Sequence, residues 1–245
     1  MRRKTSGKHG LSLADAAYDS VRKAILRGQL KPGAPLSRRR LADQLKMSVI
    51  PVTDALRRLE QDGLVESRPR AGTRVRIPSQ TDVRELYELR EALESQSARL
   101  FAERATRAEH DEIRRLADDV DALFARMNAE SDKMAFRFEV HTTHVQFHMR
   151  IADLAGSGLV RQMIDRKHVL ILNWLFDVVG RRTPLPPNFH ASLAEALTSG
   201  DPVAADAAMR EHVRYGLKEI SARIGALAAS EWRERRRPHR RKRTI

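Results

Sequence analysis

Ser48-Val49-Ile50-Pro51-Val52-Thr53-Asp54-Ala55-Leu56-Arg57-Arg58-Leu59 is the stretch that decides how the first third of this chain folds. Val52, Ala55, Leu56 and Leu59 recur at helical spacing, and Ser48 precedes them as a natural N-cap. Pro51 falls in the first turn, where a missing N–H costs little, and Gly63 marks the end. Upstream, Leu13, Ala16, Ala17, Val21, Ala24 and Ile25 mark one face of an earlier helix. Gly28 and the Lys31-Pro32-Gly33 turn close it. Ser37 caps a short middle helix carrying Leu41, Ala42 and Leu45, and Met47-Ser48 is the tight break after it. Downstream, two alternating runs, 64–67 and 73–77, flank Arg68-Pro69-Arg70-Ala71-Gly72 and read as a hairpin with a basic tip.

Three short helices followed by a β-wing is the order of a winged helix-turn-helix, here spanning residues 11–77. Its charge supports a polyanion partner. The formal net charge of the 245 residues is +14, distributed as +4 over residues 1–10, +7 over 11–80, −3 over 81–230 and +6 over 231–245. A basic, patterned first third beside a near-neutral body suggests a DNA-binding module joined to something else. In such a module the third helix enters the major groove and the first residues of that helix reach base edges. Ser48 and the amides behind it suit a phosphate. Arg38, Arg39 and Arg40 on the second helix, with Arg68, Arg70 and Arg74 around the wing, supply cations for further phosphates.

Residues 78–81, Pro-Ser-Gln-Thr, read as a linker. From Thr81 onward the periodicity is helical throughout, in stretches near 82–104, 107–128, 132–155, 158–179, 189–199 and 202–229. Thr106-Arg107-Ala108-Glu109 is a capping box, and Gly200-Asp201-Pro202 combines a helix end, an N-cap and a first-turn proline. The fold class is therefore mainly α: a winged helix-turn-helix followed by an all-α six-helix bundle over 82–230. Residues 231–245 are too charged to pack and are expected to form a disordered basic tail. No run of 18 apolar residues occurs, so a membrane span is excluded. The absence of cysteine removes disulfides, thiolate metal sites and thiol nucleophiles, and no apolar signal segment follows the basic start. These features point to a cytoplasmic protein.

Residues 21–75 resemble the GntR-family winged helix. The resemblance is carried by Val21-Arg22-Lys23-Ala24-Ile25-Leu26-Arg27-Gly28, Leu30-Lys31-Pro32-Gly33, Leu41-Ala42, Pro51-Val52, Ala55-Leu56-Arg57-Arg58-Leu59 and Gly63-Leu64-Val65. Gly72 falls where that family's wing keeps a glycine, and Arg39 matches a common operator contact. The resemblance implies DNA contacts from Arg38, Arg39, Arg40, Ser48, Val49, Thr53, Arg57, Arg70 and Gly72. Members commonly carry arginines at the positions held here by Val49 and Thr53. Since bidentate arginine–guanine pairs carry much of direct readout, this implies an altered operator.

Of nine histidines, His144 and His148 lie four apart on one helix face, while His190 and His212 sit on two other helices. On spacing alone, two histidines four apart are more often a partly exposed face than a metal site. A zinc peptidase is a poor match, because His144-Val145-Gln146-Phe147-His148 lacks the glutamate base. Residues 81–225 resemble the FCD ligand-binding domain of the FadR subfamily through Leu86-Tyr87-Glu88-Leu89-Arg90-Glu91-Ala92-Leu93-Glu94, Phe147-His148, and His190 onward to His212. That domain's metal-binding members use an aspartate and three histidines. His148, His190 and His212 match the histidines and His144 takes the aspartate's place. The resemblance thus implies a divalent ion, zinc or nickel, held by His144, His148, His190 and His212. The alternative to a metal is a pocket whose histidines hold an anionic effector directly; Arg90 is a weaker candidate for that anion, its other reading being an ion pair with Glu94 at i+4.

The expected function is a non-enzymatic, sequence-specific transcription regulator, a repressor as is usual in the family. It would bind double-stranded DNA as a homodimer and respond to a small carboxylate or sugar acid in a metal-containing pocket. The alternatives are a DNA-architectural protein of weak sequence preference and a metal-dependent hydrolase.

Overall fold

A computed structural model describes residues 12–70, 72–77, 79–129, 134–166 and 184–235. The chain divides into two compact units between Ile77 and Pro78.

The first unit contains α1 (Leu13–Leu26), β1 (Pro35–Leu36), α2 (Arg38–Leu45), α3 (Val49–Gln61), β2 (Val65–Arg68) and β3 (Gly72–Val75). Ser12 and Asp15 form a reciprocal capping box that satisfies orphan amides at the start of α1. Asp15 also receives Arg58 at 2.6 Å, and the Arg58 guanidinium lies over the Tyr18 ring, so α3 is held to α1 by charge as well as packing. Ala17, Val21 and Ile25 meet Val52, Ala55, Leu56 and Leu59 in the unit's core. The hairpin pairs Val65 with Val75 and Arg68 with Gly72. One strand was not legible in the sequence: Pro35–Leu36 adds to the hairpin's other side, giving an antiparallel sheet ordered β1-β3-β2. Two residues carry too little alternation to signal a strand. Gly33 makes this possible, because its φ of +80° is left-handed and a Cβ there would press on Ile77 at 3.2 Å.

The second unit's described helices are α4 (Gln80–Arg104), α5 (Arg107–Ala129), α6 (Met134–Leu154), α7 (Gly158–Arg166), α8 (Phe189–Leu197) and α9 (Pro202–Arg235). No strand occurs among its described residues. Helix α4 starts two residues before the period suggests, inside the expected linker, because Ser79 and Asp82 form a second capping box. Helix α9 runs to Arg235, so residues 231–235 are helical where charge led us to expect disorder. The rest of that tail, 236–245, and residues 167–179 of the expected fourth bundle helix lie outside the described residues. Tyr87, Phe101, Ile113, Val120, Phe124, Phe147, Ile151, Leu197 and Met209 share one core. Glu91 links α4 to α9 through Arg214 at 2.7 Å and Arg210 at 3.2 Å. Among the described helices none is long and apolar enough to cross a membrane.

Candidate functional site

The bundle turns a polar cluster into its own core. His144 and His148 project from one face of α6, His190 comes from the first turn of α8 and His212 from α9, and all four are buried. Ligand nitrogens of His144, His190 and His212 lie within 4.8 Å of one another. The Nε2 of His148 is 2.9 Å from the Nε2 of His144, with one ring donating and the other accepting according to tautomer. Aromatic walls fix the rings. Phe124 stacks on His190 with centroids 5.4 Å apart, and Phe189 stacks on His212 at 4.5 Å.

Two carboxylates aim these rings. Asp121 on α5 accepts from His190 Nδ1 at 2.6 Å and from the backbone amides of His190 and Ala191. It therefore caps α8, whose own N-cap residue Asn188 makes no side-chain cap bond. Burial would raise the Asp121 carboxyl, but His190 and the two amides outweigh it and hold the carboxyl below its usual range. Glu94 on α4 plays the matching part for His148, with Oε2 lying 2.7 Å from Nδ1, short but angled off a regular hydrogen-bond line. Arg90 donates to the other Glu94 oxygen at 2.7 Å. Burial alone would raise the Glu94 carboxyl; Arg90 and then His148 reverse that and bring it to about 2. Carboxylates behind Nδ1 leave Nε2 of each ring as the inward ligand atom.

The donor set therefore fits a borderline divalent ion: buried imidazoles from three helices, with the outer nitrogen of His190 bonded to Asp121 and that of His148 facing Glu94. Three of the four expected ligands converge as a group, and His148 stands against one of them. Arg90 takes the ion-pair alternative rather than the effector role, because its guanidinium is buried, paired with Glu94 and 4.8 Å from the Tyr87 ring centroid. A cleft of about 450 Å³ has Asp118, Asp121, Phe124, Leu185 and Pro186 among its walls. Two aspartates make it a poor seat for an anion. Sequence reasoning missed Asp121 and singled out Glu94 only as a partner for Arg90. Asp121 stands 69 residues from His190, and no local pattern announces the pair.

In the first unit, Ser48 is the N-cap of α3 by backbone geometry, yet its hydroxyl makes no cap bond. Arg38, Arg39, Arg40, Val49, Arg57, Arg70 and Gly72 are exposed, and Thr53 is half-buried. Three arginines in the first turn of α2 oppose the helix dipole, with no acid there to balance them. Arg68 and Arg74 both engage Glu66, which leaves them less available to phosphates than the sequence suggests.

The comparisons with known proteins agree with this architecture. Residues 85–215, over half the chain, match the FCD domain, and residues 13–75 match the bacterial regulatory proteins of the gntR family. The chain belongs to the GntR family. It is a DNA-binding transcriptional regulator, and neither its domains nor its relatives are enzymes. It is 29% identical over 223 residues to a protein of Paenarthrobacter nicotinovorans named a probable D-xylose utilization operon transcriptional repressor, covering 89% of this chain and 93% of that one. It is 27% identical to the HTH-type transcriptional regulator LutR of Bacillus subtilis, covering 77% of this chain and 92% of LutR. A GntR regulator structure from Rhodococcus sp. RHA1 shares the fold of this GntR protein, with a TM-score of 0.65 at 23% identity over 87% of this chain and 97% of that one.

Proposed function

We propose that this GntR regulator is a cytoplasmic homodimeric repressor whose FCD domain holds one divalent ion through His144, His190 and His212, with His148 completing the set. Its effector is a small carboxylate or sugar acid. The observation that carries the reading is the buried convergence of imidazoles backed by Asp121 and Glu94. Zinc or nickel suits an all-nitrogen donor set. When bound, the ion supplies a Lewis-acidic anchor for a ligand oxygen. The chain's own residues do the rest. Asp121 and Glu94 hold the ring orientations, Arg90 keeps Glu94 ionised, and Phe124, Phe147 and Phe189 exclude water.

His144 gives the site its effector preference. Neutral imidazole at that position leaves the direct ligand shell with no negative charge, so an anionic effector would supply it. The relative named for D-xylose utilization makes a sugar-derived acid a natural class to test. On the DNA side, Arg38, Arg39, Arg40, Arg57, Arg70 and the Ser48 hydroxyl contact phosphates, and the Gly72 turn brings the wing close to the backbone. Effector binding regulates only through different affinities for the DNA-competent and incompetent arrangements of a dimer.

The test combines elemental analysis of purified protein with operator binding in the presence of a panel of carboxylic and sugar acids. About one ion per chain, lost in His190→Ala with His212→Ala, and an acid that weakens operator binding only in the metal-loaded wild type, are expected. Equal trace metal in wild type and double variant would refute the site.

A further inference from the structure

We infer that α3 reads thymine 5-methyl groups in the major groove, using Val49, Ile50 and the methyl of Thr53. The inference rests on the DNA-binding role of the winged helix and specifies what that helix recognises.

Three features of the first unit carry it. The apolar residues of α3 fall into two sets. Val52, Ala55, Leu56 and Leu59 are buried in the core, whereas Val49 and Ile50 are 41% and 75% exposed. An isoleucine left three-quarters in water forgoes most of the free energy that burial would provide, and it stands at the end of the helix that enters DNA.

Thr53 supplies the second feature. Its hydroxyl donates back to the Val49 carbonyl at 2.9 Å. The donor is thereby used within the helix, and a base edge is offered a methyl group and an oxygen that can only accept. Val49 and Thr53 are four apart, so they stand on one face, next to Ile50.

The third feature is where the cations are. The solvent-facing side of α3 holds Val49, Ile50, Thr53 and Asp54 in its first two turns, and its first cation, Arg57, comes only after them. Among the described residues, exposed arginines stand on α2 (Arg38, Arg39, Arg40) and on the wing (Arg68, Arg70). Phosphate neutralisation and base contact are thus divided between elements. The helix tip carries no side chain able to donate a bidentate pair to guanine O6 and N7. In the major groove thymine differs from cytosine by the C5-methyl and the O4 acceptor, and aliphatic side chains discriminate through the methyl. An apolar helix tip, with the cations carried by α2 and the wing, matches a groove whose edges are phosphates and whose floor carries methyls.

The experiment begins with binding-site selection from random duplexes by the full-length protein. Each thymine of the selected half-site is then replaced by deoxyuridine, which removes the 5-methyl and nothing else. Thymine is expected at the base pairs facing the start of α3. Loss of one contacted methyl should weaken binding about fourfold, the equivalent of one buried methyl group. In Ile50→Ala or Val49→Ala the deoxyuridine penalty at the corresponding position should disappear. Thermal melts of both variants within a few degrees of wild type show that these surface variants fold. Guanine selected at those positions with no deoxyuridine penalty, or penalties of undiminished size in both alanine variants, would overturn the inference. A protein that binds duplexes but selects no site would overturn sequence-specific regulation itself, and this inference with it.

Discussion

Arg90→Met should be the most destabilising single change in the second unit's polar core. Arg90 and Glu94 are both about 2% exposed and joined at 2.7 Å, and Glu94 in turn faces His148. Removing the guanidinium while leaving the carboxylate strands a charge in the core, which costs about 3–5 kcal/mol. For a unit of this size each kcal/mol moves the melting temperature by about 2–4 °C, so a drop on the order of 10 °C is expected. Replacing both partners, Arg90→Met with Glu94→Met, removes the stranded charge and should return stability to within about 2 kcal/mol of wild type. The assay is calorimetric unfolding of the full chain under a chelator, so that ion binding adds nothing, with the four proteins forming a double-mutant cycle. A single-variant loss below about 1 kcal/mol, or losses that simply add in the double variant, would show that burial does not make this pair interdependent.

Asp121→Asn keeps the shape but weakens the hold on His190 Nδ1, and should lower divalent-ion affinity about 10- to 100-fold in a competition titration; unchanged affinity would remove Asp121 from the site. Glu91 carries a carboxyl lowered by Arg214 and then Arg210, so its contribution is present above the ordinary glutamate range and fades as pH falls through the lowered folded value. Glu91→Gln should therefore be less stable than wild type by under about 1 kcal/mol at pH 7, with the gap closing in acid, as followed by thermal melts across pH. Deleting residues 236–245, which carry six basic side chains, should weaken binding to specific and scrambled duplexes alike and flatten the salt dependence, each lost phosphate contact changing the log–log slope by about 0.9. A salt titration on both duplexes checks this, and an unchanged slope would mean that the tail does not engage DNA.

What the sequence determined by itself was everything written in short-range code. The 3.6-residue period of α1 and α3, the Ser37 cap, the start of α3 after Ser48, the Gly63 stop and the basic hairpin tip each depend on neighbours within a few residues. The same holds for the shared face of His144 and His148. The resemblance added His190 and His212, which no local period links. Even the short-range reading had limits, since Ser79–Asp82 is a capping box that moves the start of α4 into the expected linker, and α9 continues through charges expected to end it. Only the tertiary structure decided which carboxylate stands behind which imidazole. It also turned Arg90 toward Glu94, drew Arg68 and Arg74 onto Glu66, and added Pro35–Leu36 to the wing. The physical reason is that these choices depend on contacts between elements far apart in the chain. A carboxylate on α5 reads as one more solvated acid until α8 is packed against it. Its burial, its lowered pKa and its grip on His190 all arise from that packing.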